Sequence, residues 1–502
     1  MSVTFEYQKA TEHTVENLYT SPHTLDWANQ PNPFRSYVGA LVVRLPVPKT
    51  HFTIAWPQQA NNPLPFHIES LSMFLYHSVA IAAWKEVQST KTRWPLRVNP
   101  SSGNLHAEEI HLCILDTIGL ENGIYHFNVE SFNLEKRIHL DDELSSYVRF
   151  VSKTDAPLKI LLTTIVWREA WKYRNRAFRY CLLDGGHTEA SLRIAGAHLG
   201  WKSIANRTFA DNIMSSLFGL PNDETPVSFV EFGTPKRDTH PDVQIKRPKT
   251  LGKPGILSEH IISYPLIKRV VHATAQASKT EGFTIKASLE LQPRPSSFLN
   301  KSWTTLVRTR RSGIKFDGIT GCTYEDLKWI ISTALNQSWY WSNGKVQKEW
   351  VVIYVYAHLV EGLVPGIYLY DDNTRQCKAI FKGDVKKLAI KLSLFQSIAG
   401  HSAFALSMLS NYYDIYENFG EKALRLAYQS AGRVGQSLYL AAESIGLNAT
   451  GIGAYFDQDV RQVLSLDDSW FVLYNFTIGR ALRDSRLKYL PAYSFEPSNY
   501  TS

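Results

Sequence analysis

Cysteine is scarce in this sequence, with four residues in 502, and these four are too far apart to form a CxxC pair or a Cys/His cluster. A disulfide framework and a metal site are both disfavoured, and a reducing cytoplasm is the expected location. Long apolar runs are also missing: no stretch approaches the ~20 residues of a bilayer span, and the N-terminus is too polar for a secretory signal. We therefore expect neither a metal nor a membrane partner.

Polar composition is not high enough for a disordered chain, because 44% of the residues are hydrophobic and 13 are Trp. A length of 502 residues predicts two or three domains of ~150 residues each. Residues 1–250 carry 26 Lys+Arg against 25 Asp+Glu, whereas residues 251–502 carry 28 against 21. The basic residues form no long run, so we do not expect a nucleic-acid partner.

An internal repeat is the most informative feature. Residues 176–201 align with residues 422–447 at a constant offset of 246, with identities that include Arg179 with Arg425 and Gly186 with Gly432. Both segments have the spacing of a buried helix, and each half continues into a short helix and an apolar strand. We predict an α+β fold built from two copies of one domain.

The copies are expected to cover residues 1–233 and 301–502. Residues 234–300 between them are rich in proline and basic, and are too long for a simple loop. We expect this segment to cross between the domains and to contain a helix of its own near residues 261–278.

A dense cationic group opens the second copy. Arg308, Arg310, Arg311 and Lys315 surround Ser312, and guanidinium groups together with a hydroxyl suit a phosphate dianion. A solvated basic turn is the alternative. The string RRSGIKF resembles the flavin phosphate motif of the nitroreductase-like FMN superfamily. Ile314 stands where that motif usually has a second basic residue, with Lys315 displaced by one position.

The first copy carries a different element of the same superfamily. No Lys or Arg occurs between Lys49 and Lys85, where its cationic group would lie. It has instead the string NPSSGNLH, which resembles the Pro-Ser-Ser loop that packs on the flavin from the partner subunit. Proline fixes such a turn, glycine permits a close backbone approach, and the hydroxyls could bond the flavin edges. The predicted loop residues are Pro100, Ser101, Ser102 and Gly103.

Two further segments of the second copy fit a flavin site. Gly451, Ile452 and Gly453 resemble the family segment whose backbone N–H groups face the flavin ring, although a connection that merely needs glycine is the alternative. A basic tail could add to the phosphate site through Arg480, Arg483 and Arg486.

The resemblance is closer to one branch, the SagB/ThcOx-type azoline dehydrogenases. Lys172 and Tyr173 occupy the place of the Lys-Tyr pair of that branch, which the resemblance implicates in substrate deprotonation. A base of depressed pKa would suit that role. Asp184 and His187, by contrast, are interpreted as structural polar groups inside a helix. The stretch before residue 25 is too short for the peptide-recognition domain of the peptide-modifying enzymes.

The family usually forms homodimers with FMN in the interface, and this chain resembles such a dimer fused into one polypeptide. The resemblance thus implies two tandem nitroreductase-like domains in a monomeric pseudo-dimer, with further association left open, and one FMN per chain. The leading hypothesis is FMN-dependent dehydrogenation of a C–H/N–H unit in a small molecule or a peptide- or carrier-bound substrate. An NAD(P)H-dependent nitro, quinone or ene reductase and a flavin-free scaffold are the alternatives.

Overall fold

A computed structural model describes residues 2–20, 24–49, 54–152, 155–233, 248–278, 284–286, 292–336, 345–347 and 349–493. None of the helices in these ranges has the length and apolar character needed to cross a bilayer. The helices are α1 Val3–Ala10, α2 Val15–Thr20, α3 Ile68–Ser78, α4 Asp142–Ser152, α5 Val166–Tyr173, α6 Ala177–His198, α7 Asp211–Phe218, α8 Pro265–Ala273, α9 Trp303–Thr309, α10 Tyr324–Leu335, α11 Lys386–Leu392, α12 Tyr412–Phe419, α13 Ala423–Ser444 and α14 Asp457–Val463.

The strands alternate with these helices in a similar order in both halves. In the first half they are β1 Tyr37–Val38, β2 Leu41–Arg44, β3 Ile81–Val87, β4 Arg93–Arg97, β5 Glu108–Ile114, β6 Gly123–Asn128, β7 Asn133–His139, β8 Leu158–Thr164, β9 Ser203–Asn206 and β10 Thr225–Phe232. After it come β11 Lys253–Pro254, β12 Thr284–Lys286, β13 Cys322–Thr323, β14 Lys345–Gln347, β15 Val352–Ala357, β16 Val360–Glu361, β17 Gly366–Asp371, β18 Gln376–Lys382, β19 Phe404–Asn411, β20 Asn448–Ile452, β21 Trp470–Gly479 and β22 Leu487–Pro491.

Two large sheets have matching strand orders. The sheet of the first half runs β2-β7-β6-β5-β8-β10-β9, and that of the second half runs β18-β17-β15-β19-β21-β20. The ladders within both sheets are antiparallel over the described residues. Apart from the extra edge strand β2, the second sheet repeats the first, which confirms the predicted α+β fold of two like domains.

The repeat is also visible in the central helices. Helices α6 and α13 are both 22 residues long and begin 246 positions apart, as predicted from the aligned sequences. Both are buried along their whole length, which explains why small and apolar residues occur on every face rather than on one stripe. Helices α5 and α12 precede them with the same offset.

Helices α6 and α13 cross where Gly186 meets Gly432. A Cβ atom added to Gly186 would lie 2.9 Å from the Cα of Gly432, and one added to Gly432 would overlap the carbonyl oxygen of Leu183. Glycine is therefore required at both positions for the backbones to approach this closely. The two helices are related by a pseudo-two-fold axis at this crossing.

Reciprocal ion pairs follow the same symmetry. Arg179 of the first half binds Asp457 of the second at 2.7 Å, and Arg425 of the second half binds Asp211 of the first at 2.7 Å. Each residue of one pair stands 246 positions from its counterpart, and all four side chains are buried. The interface thus has the isologous character of a homodimer interface within one chain.

Each half also extends an arm onto the other. At the N-terminus, the backbone N–H groups of Val3 and Thr4 in α1 donate to the carboxylate of Glu421. At the other end, β22 pairs with β3 of the first half. The predicted domain limits remain a prediction; the crossing segment contains the expected helix as α8, while its residues 234–247, 279–283 and 287–291 lie outside the described residues.

Candidate active site

The predicted phosphate clamp is an extended segment that follows α9. Ser312 forms a bridge with Ala449 beside β20, and Phe316 forms one with Ala481 beyond β21. Phe316 is buried in the core of the second half, whereas the side chain of Ser312 is exposed and lies 2.8 Å from the hydroxyl of Tyr439. The segment is thus anchored at both ends and leaves the serine hydroxyl accessible.

Arg310 connects the clamp segment to the first half. Its guanidinium group lies over the Tyr439 ring, and its Nε donates to the carbonyl oxygen of Val98 at 3.1 Å. Val98 stands two residues before Pro100, so the clamp and the predicted Pro-Ser-Ser loop meet. The buried Nη1 of Arg310 has no hydrogen-bond partner among the residues that the structure describes, and burial lowers the pKa of this arginine.

Arg308 is committed to the interface between the halves. Its guanidinium group donates to the carbonyl oxygens of Tyr76, Ile81 and Ala82 at 2.8 to 3.2 Å and lies over the Tyr76 ring. The structure therefore gives Arg308 backbone partners in place of the predicted phosphate. Arg311 uses fewer of its donors than Arg308: only its Nη1 donates, to two backbone carbonyl oxygens of its own segment, among the contacts of the described residues.

The remaining basic residues lie on the surface. Lys315, Arg480, Arg483 and Arg486 are all exposed. The guanidinium group of Arg486 pairs with Asp484 at 2.7 Å, within its own turn. The structure therefore does not bring Arg486 to the buried part of the clamp.

The Pro-Ser-Ser loop contacts the Lys-Tyr pair. Gly103 has a φ of 58°, and a Cβ atom there would lie 2.6 Å from the hydroxyl of Tyr173 and 3.1 Å from Nζ of Lys172. A left-handed backbone and this close approach both require glycine. The structure thus brings together the loop and the pair, two motifs that the sequence analysis identified separately.

The serine hydroxyls of the loop bond inward. The N–H and hydroxyl of Ser102 both donate to Asp184, at 2.7 and 2.9 Å, and the hydroxyl of Ser101 accepts from the N–H of His106 at 2.8 Å. The expectation that these hydroxyls bond a flavin edge differs from this arrangement, because a buried carboxylate is the stronger acceptor.

The Gly-Ile-Gly segment fits closely around two tyrosine rings. A Cβ atom on Gly451 would overlap the hydroxyl of Tyr474, and one on Gly453 would overlap the Tyr180 ring. Ile452 between them is buried in the core of the second half. The N–H of Gly451 donates to the hydroxyl of Tyr439 at 3.0 Å. Close packing against aromatic side chains accounts for both glycines.

One face of α6 joins these parts, and the sequence interpretation did not assign it to the site. Tyr180, Asp184 and His187 recur at helical spacing on this face. Tyr180 contacts Gly453, and its ring is tilted by 49° against that of Tyr173 with centroids 4.4 Å apart. Asp184 binds the loop. His187 lies 3.3 Å from the hydroxyl of Tyr474. The i, i+4, i+7 spacing of these three polar side chains along a buried helix was the available signal.

Burial dominates the acid–base properties of this region. It raises the pKa of Asp184 to about 7, against the opposing effect of the Ser102 hydrogen bonds, and lowers that of His187 to about 3. Burial, and then the nearby Glu169, raises the pKa of Tyr173 well above its usual value. Tyr173 therefore lacks the depressed pKa that would suit a base, and it keeps its proton at neutral pH.

Residues 295–480 match the model of the nitroreductase family. A predicted nitroreductase from Methanocaldococcus jannaschii is 26% identical to the chain over 130 residues, which are 26% of this chain and 65% of the relative. The chain therefore spans somewhat less than two thirds of the length of that relative.

Solved structures extend the likeness to both halves. A predicted nitroreductase from Anabaena variabilis superposes with a TM-score of 0.77 over 96% of this chain and 100% of its own, at 21% identity. This similarity shows the fold of the whole chain. The Escherichia coli microcin synthetase McbBCD complex with truncated pro-MccB17 bound matches 39% of this chain and 79% of its own, at 19% identity and a TM-score of 0.31.

Within the stretch that matches the family model, the residues fit a flavin phosphate at one place. Arg310 has a buried nitrogen without a partner in the described part of the chain, Arg311 lies beside it, and the hydroxyl of Ser312 is exposed. Cationic donors and a hydroxyl are the groups that bind a phosphate dianion. Among the described residues no cluster of His, Cys, Asp and Glu is arranged to hold a metal ion.

The location that the internal repeat relates to the candidate site, called the second location, is filled by buried ion pairs. The 246-residue offset relates Gly435, Tyr439, Gly453 and His187 of the first location to Glu189, Arg193, Arg207 and Arg433 of the second. Buried Glu189 pairs there with all three arginines, with distances of 3.0 Å from Nε of Arg207, 3.5 Å from Arg433 and 3.6 Å from Arg193. Their guanidinium groups lower the pKa of Glu189. An ion cluster thus occupies the place where the first location has two glycines.

Proposed function

We propose that the chain is an FMN-dependent oxidoreductase with a single composite site. Arg310, Arg311 and Ser312 of the second half would hold the FMN phosphate, with the loop Pro100–Gly103 of the first half beside them. The observation that carries this proposal is the bond from Arg310 to Val98, since it joins the phosphate clamp of one half to the strand that leads into the loop of the other. Two halves are needed to complete one site.

We propose one FMN per chain. The second location has no cation in its clamp segment, and the Glu189 ion cluster fills its interior. A flavin there would have to displace buried charges that are already paired, and leaving any of them unpaired would cost several kcal/mol.

For the reaction, we propose a two-electron dehydrogenation of a C–H/N–H unit, such as an azoline or an amino-acid-derived unit, in natural-product biosynthesis. FMN, when bound, supplies two-electron transfer. Lys172 and Tyr173 stand at the loop and would handle the accompanying proton. Since Tyr173 stays protonated at neutral pH, it would donate a hydrogen bond to the substrate, and Lys172 is the candidate for holding the proton that leaves.

An NAD(P)H-dependent reductase is the second candidate, and the family match over residues 295–480 favours it. Anaerobic mixing of the flavin-loaded protein with NAD(P)H distinguishes the two. We expect slow or no bleaching of the flavin absorbance. Rapid bleaching would replace the dehydrogenase proposal with the reductase.

The flavin itself is tested by extraction from purified protein. We expect one FMN per chain, and a ~10- to 100-fold weaker FMN affinity in Ser312→Ala and Arg310→Lys, because each loses a charge-assisted or bidentate hydrogen bond to the phosphate. Arg486→Lys is the matched control and should bind normally, since its guanidinium group pairs with Asp484. Colourless protein that binds no added FMN would favour the scaffold alternative, and two FMN per chain would contradict the single site.

A further inference from the structure

Asp184 lies directly beneath the Pro-Ser-Ser loop. It is on α6, with only 1% of its surface exposed, and both of its carboxylate oxygens are used by Ser102. One oxygen accepts from the backbone N–H and the other from the hydroxyl. One turn later on α6, the hydroxyl of Thr188 accepts from Asn99 at 2.9 Å, which holds the start of the loop. Helix α6 therefore fixes the loop at two points.

The contact with the Ser102 hydroxyl can be made in two ways. An ionised carboxylate is only an acceptor, so the hydroxyl hydrogen must point to Asp184 and the free lone pairs of Ser102 face the site. A protonated carboxyl group can instead donate to the Ser102 oxygen, which frees the hydroxyl hydrogen to point toward the site. The bond from the Ser102 N–H is compatible with both states, so the backbone of the loop need not move.

We propose that Asp184 is a positioning residue whose protonation sets the direction of the Ser102 hydroxyl hydrogen. The loop then offers the bound ligand an acceptor when Asp184 is ionised and a donor when Asp184 is protonated. This inference deepens the proposed function and rests on it for the identity of the ligand, FMN. It goes beyond that function because the Ser102 hydroxyl would change from a hydrogen-bond acceptor to a donor toward the ligand.

The surroundings of Asp184 make both states accessible near neutral pH. Burial holds its pKa at about 7. Hydrogen bonds from Ser102 and Ser101 oppose the effect of burial. The titratable groups that face Asp184 are mainly acids, which do not favour its ionised state. They are Glu108 of β5, Glu169 and Tyr173 of α5, Cys181 of α6 and Tyr474 of β21, with Arg97, Arg168 and Lys172 acting on the two glutamates.

The flavin ring edge carries more acceptor atoms than donors, so the donor form of Ser102 is the better partner. We therefore expect apoprotein to bind FMN about 3- to 10-fold more tightly at pH 6 than at pH 8, the range of one neutral hydrogen bond. Asp184→Asn imitates the protonated form, because its amide can donate to the Ser102 oxygen while its carbonyl accepts from the N–H. This variant should bind as the wild type does at pH 6 across the whole range.

Two controls isolate Asp184. Ser102→Ala should also lose the pH dependence of FMN affinity and should bind at every pH as the wild type does at pH 8. Glu169→Gln should keep the pH dependence, because it leaves both the Asp184 carboxyl group and Ser102 in place; burial raises the pKa of Glu169. Titration of the FMN phosphate near pH 6 contributes equally to every variant, so the difference between wild type and Asp184→Asn reports the carboxyl group. The proposal would be overturned if FMN affinity still changed between pH 6 and pH 8 in Asp184→Asn, or no longer changed in Glu169→Gln.

A second measurement does not depend on flavin. The infrared band of protonated carboxyl groups in the unliganded protein, taken as wild type minus Asp184→Asn, should disappear with a midpoint near pH 7. If this band titrates as expected but no FMN binds at any pH, the proposed function fails while the titration of Asp184 stands. If FMN binds but the difference band is absent between pH 5 and 9, the inference fails and the proposed function stands.

Discussion

At the scale of single residues, the site depends on side chains that act through one another. Asp184 accepts a hydrogen bond from Ser102, and Gly103 leaves room for the hydroxyl of Tyr173. The Tyr173 ring in turn contacts that of Tyr180. The sequence identified the loop and the Lys-Tyr pair separately, through their resemblance to family motifs. It could not show that the two serine hydroxyls are already bonded inward, because the bonding of a side chain depends on what packs beneath the loop.

The Lys-Tyr pair gives a prediction at this scale. Tyr173→Phe keeps the ring beside Tyr180 and removes only the hydroxyl, and Lys172→Met keeps the length of the side chain and removes its charge. We expect turnover to fall by ~10²- to 10⁴-fold in each, the usual contribution of a positioned proton-transfer group, with FMN content unchanged. Lys202→Met, at an exposed position, should retain full turnover.

The pKa of Tyr173 adds a pH criterion to that experiment. Because burial raises it, the phenol stays protonated below about pH 10, and its removal should not shift any step in the pH–rate profile between pH 6 and 9. Normal turnover in Tyr173→Phe with FMN bound would remove this residue from the mechanism.

At the scale of elements, the two copies adopt the same turn with different residues. Helix α5 ends at Arg174, with φ 50° and ψ −134°, and helix α12 ends at Gly420, with φ 56° and ψ −139°. The first copy thus holds a residue with a Cβ atom in a conformation that favours glycine, directly after Lys172 and Tyr173. Such strain often occurs next to functional groups.

Arg174→Gly should therefore stabilise the protein. Relief of the left-handed strain is worth ~1 to 2 kcal/mol, partly offset by the greater freedom of glycine in the unfolded chain, so we expect a net gain of about 1 kcal/mol in urea unfolding. Asn175→Gly, at the next position, has no positive φ to relieve and should destabilise by ~0.5 to 1 kcal/mol. A loss of stability in Arg174→Gly would show that the arginine side chain matters more than the backbone.

The elements also show how far sequence reasoning reaches. The offset of 246 and the Gly186/Gly432 identity correctly indicated two matching helices, because close helix contacts leave a residue-level trace. The tyrosines that surround the Gly-Ile-Gly segment were missed. Tyr180, Tyr439 and Tyr474 come from three elements of two halves, and periodicity within one element does not reveal which residues of another element it meets.

At the scale of the whole molecule, the two halves are symmetric in backbone and unequal in chemistry. The reciprocal pairs Arg179–Asp457 and Arg425–Asp211 preserve the symmetry. The Glu189 ion cluster breaks it, since its positions correspond to glycine, tyrosine and histidine at the candidate site. One location thus holds paired buried charges, whereas the candidate site has glycine at two of the corresponding positions.

Glu189→Gln tests this division. The change removes the carboxylate that three buried guanidinium groups share, while Arg433 keeps its pair with Glu349 at 2.7 Å. We expect a loss of ~3 to 5 kcal/mol in unfolding free energy, with the FMN content still one per chain. The pKa of Glu189 is depressed in the folded state, so its contribution is fully present at neutral pH and is lost as the pH falls below about 4. The wild type and the variant should therefore converge in stability in acid; an unchanged difference at pH 3 would contradict the assignment.

The exchanged arms bear on how the chain is made. Strand β3 is synthesised well before β22, the strand that pairs with it, because about 400 residues separate the two. At ~5 to 20 residues per second this interval is on the order of 20 to 80 s, during which the edge of the β3–β4 hairpin has no partner from its own chain. A truncated first half would keep that edge permanently bare, and a free strand edge promotes aggregation. The β3 edge is therefore completed only after β22 has been synthesised.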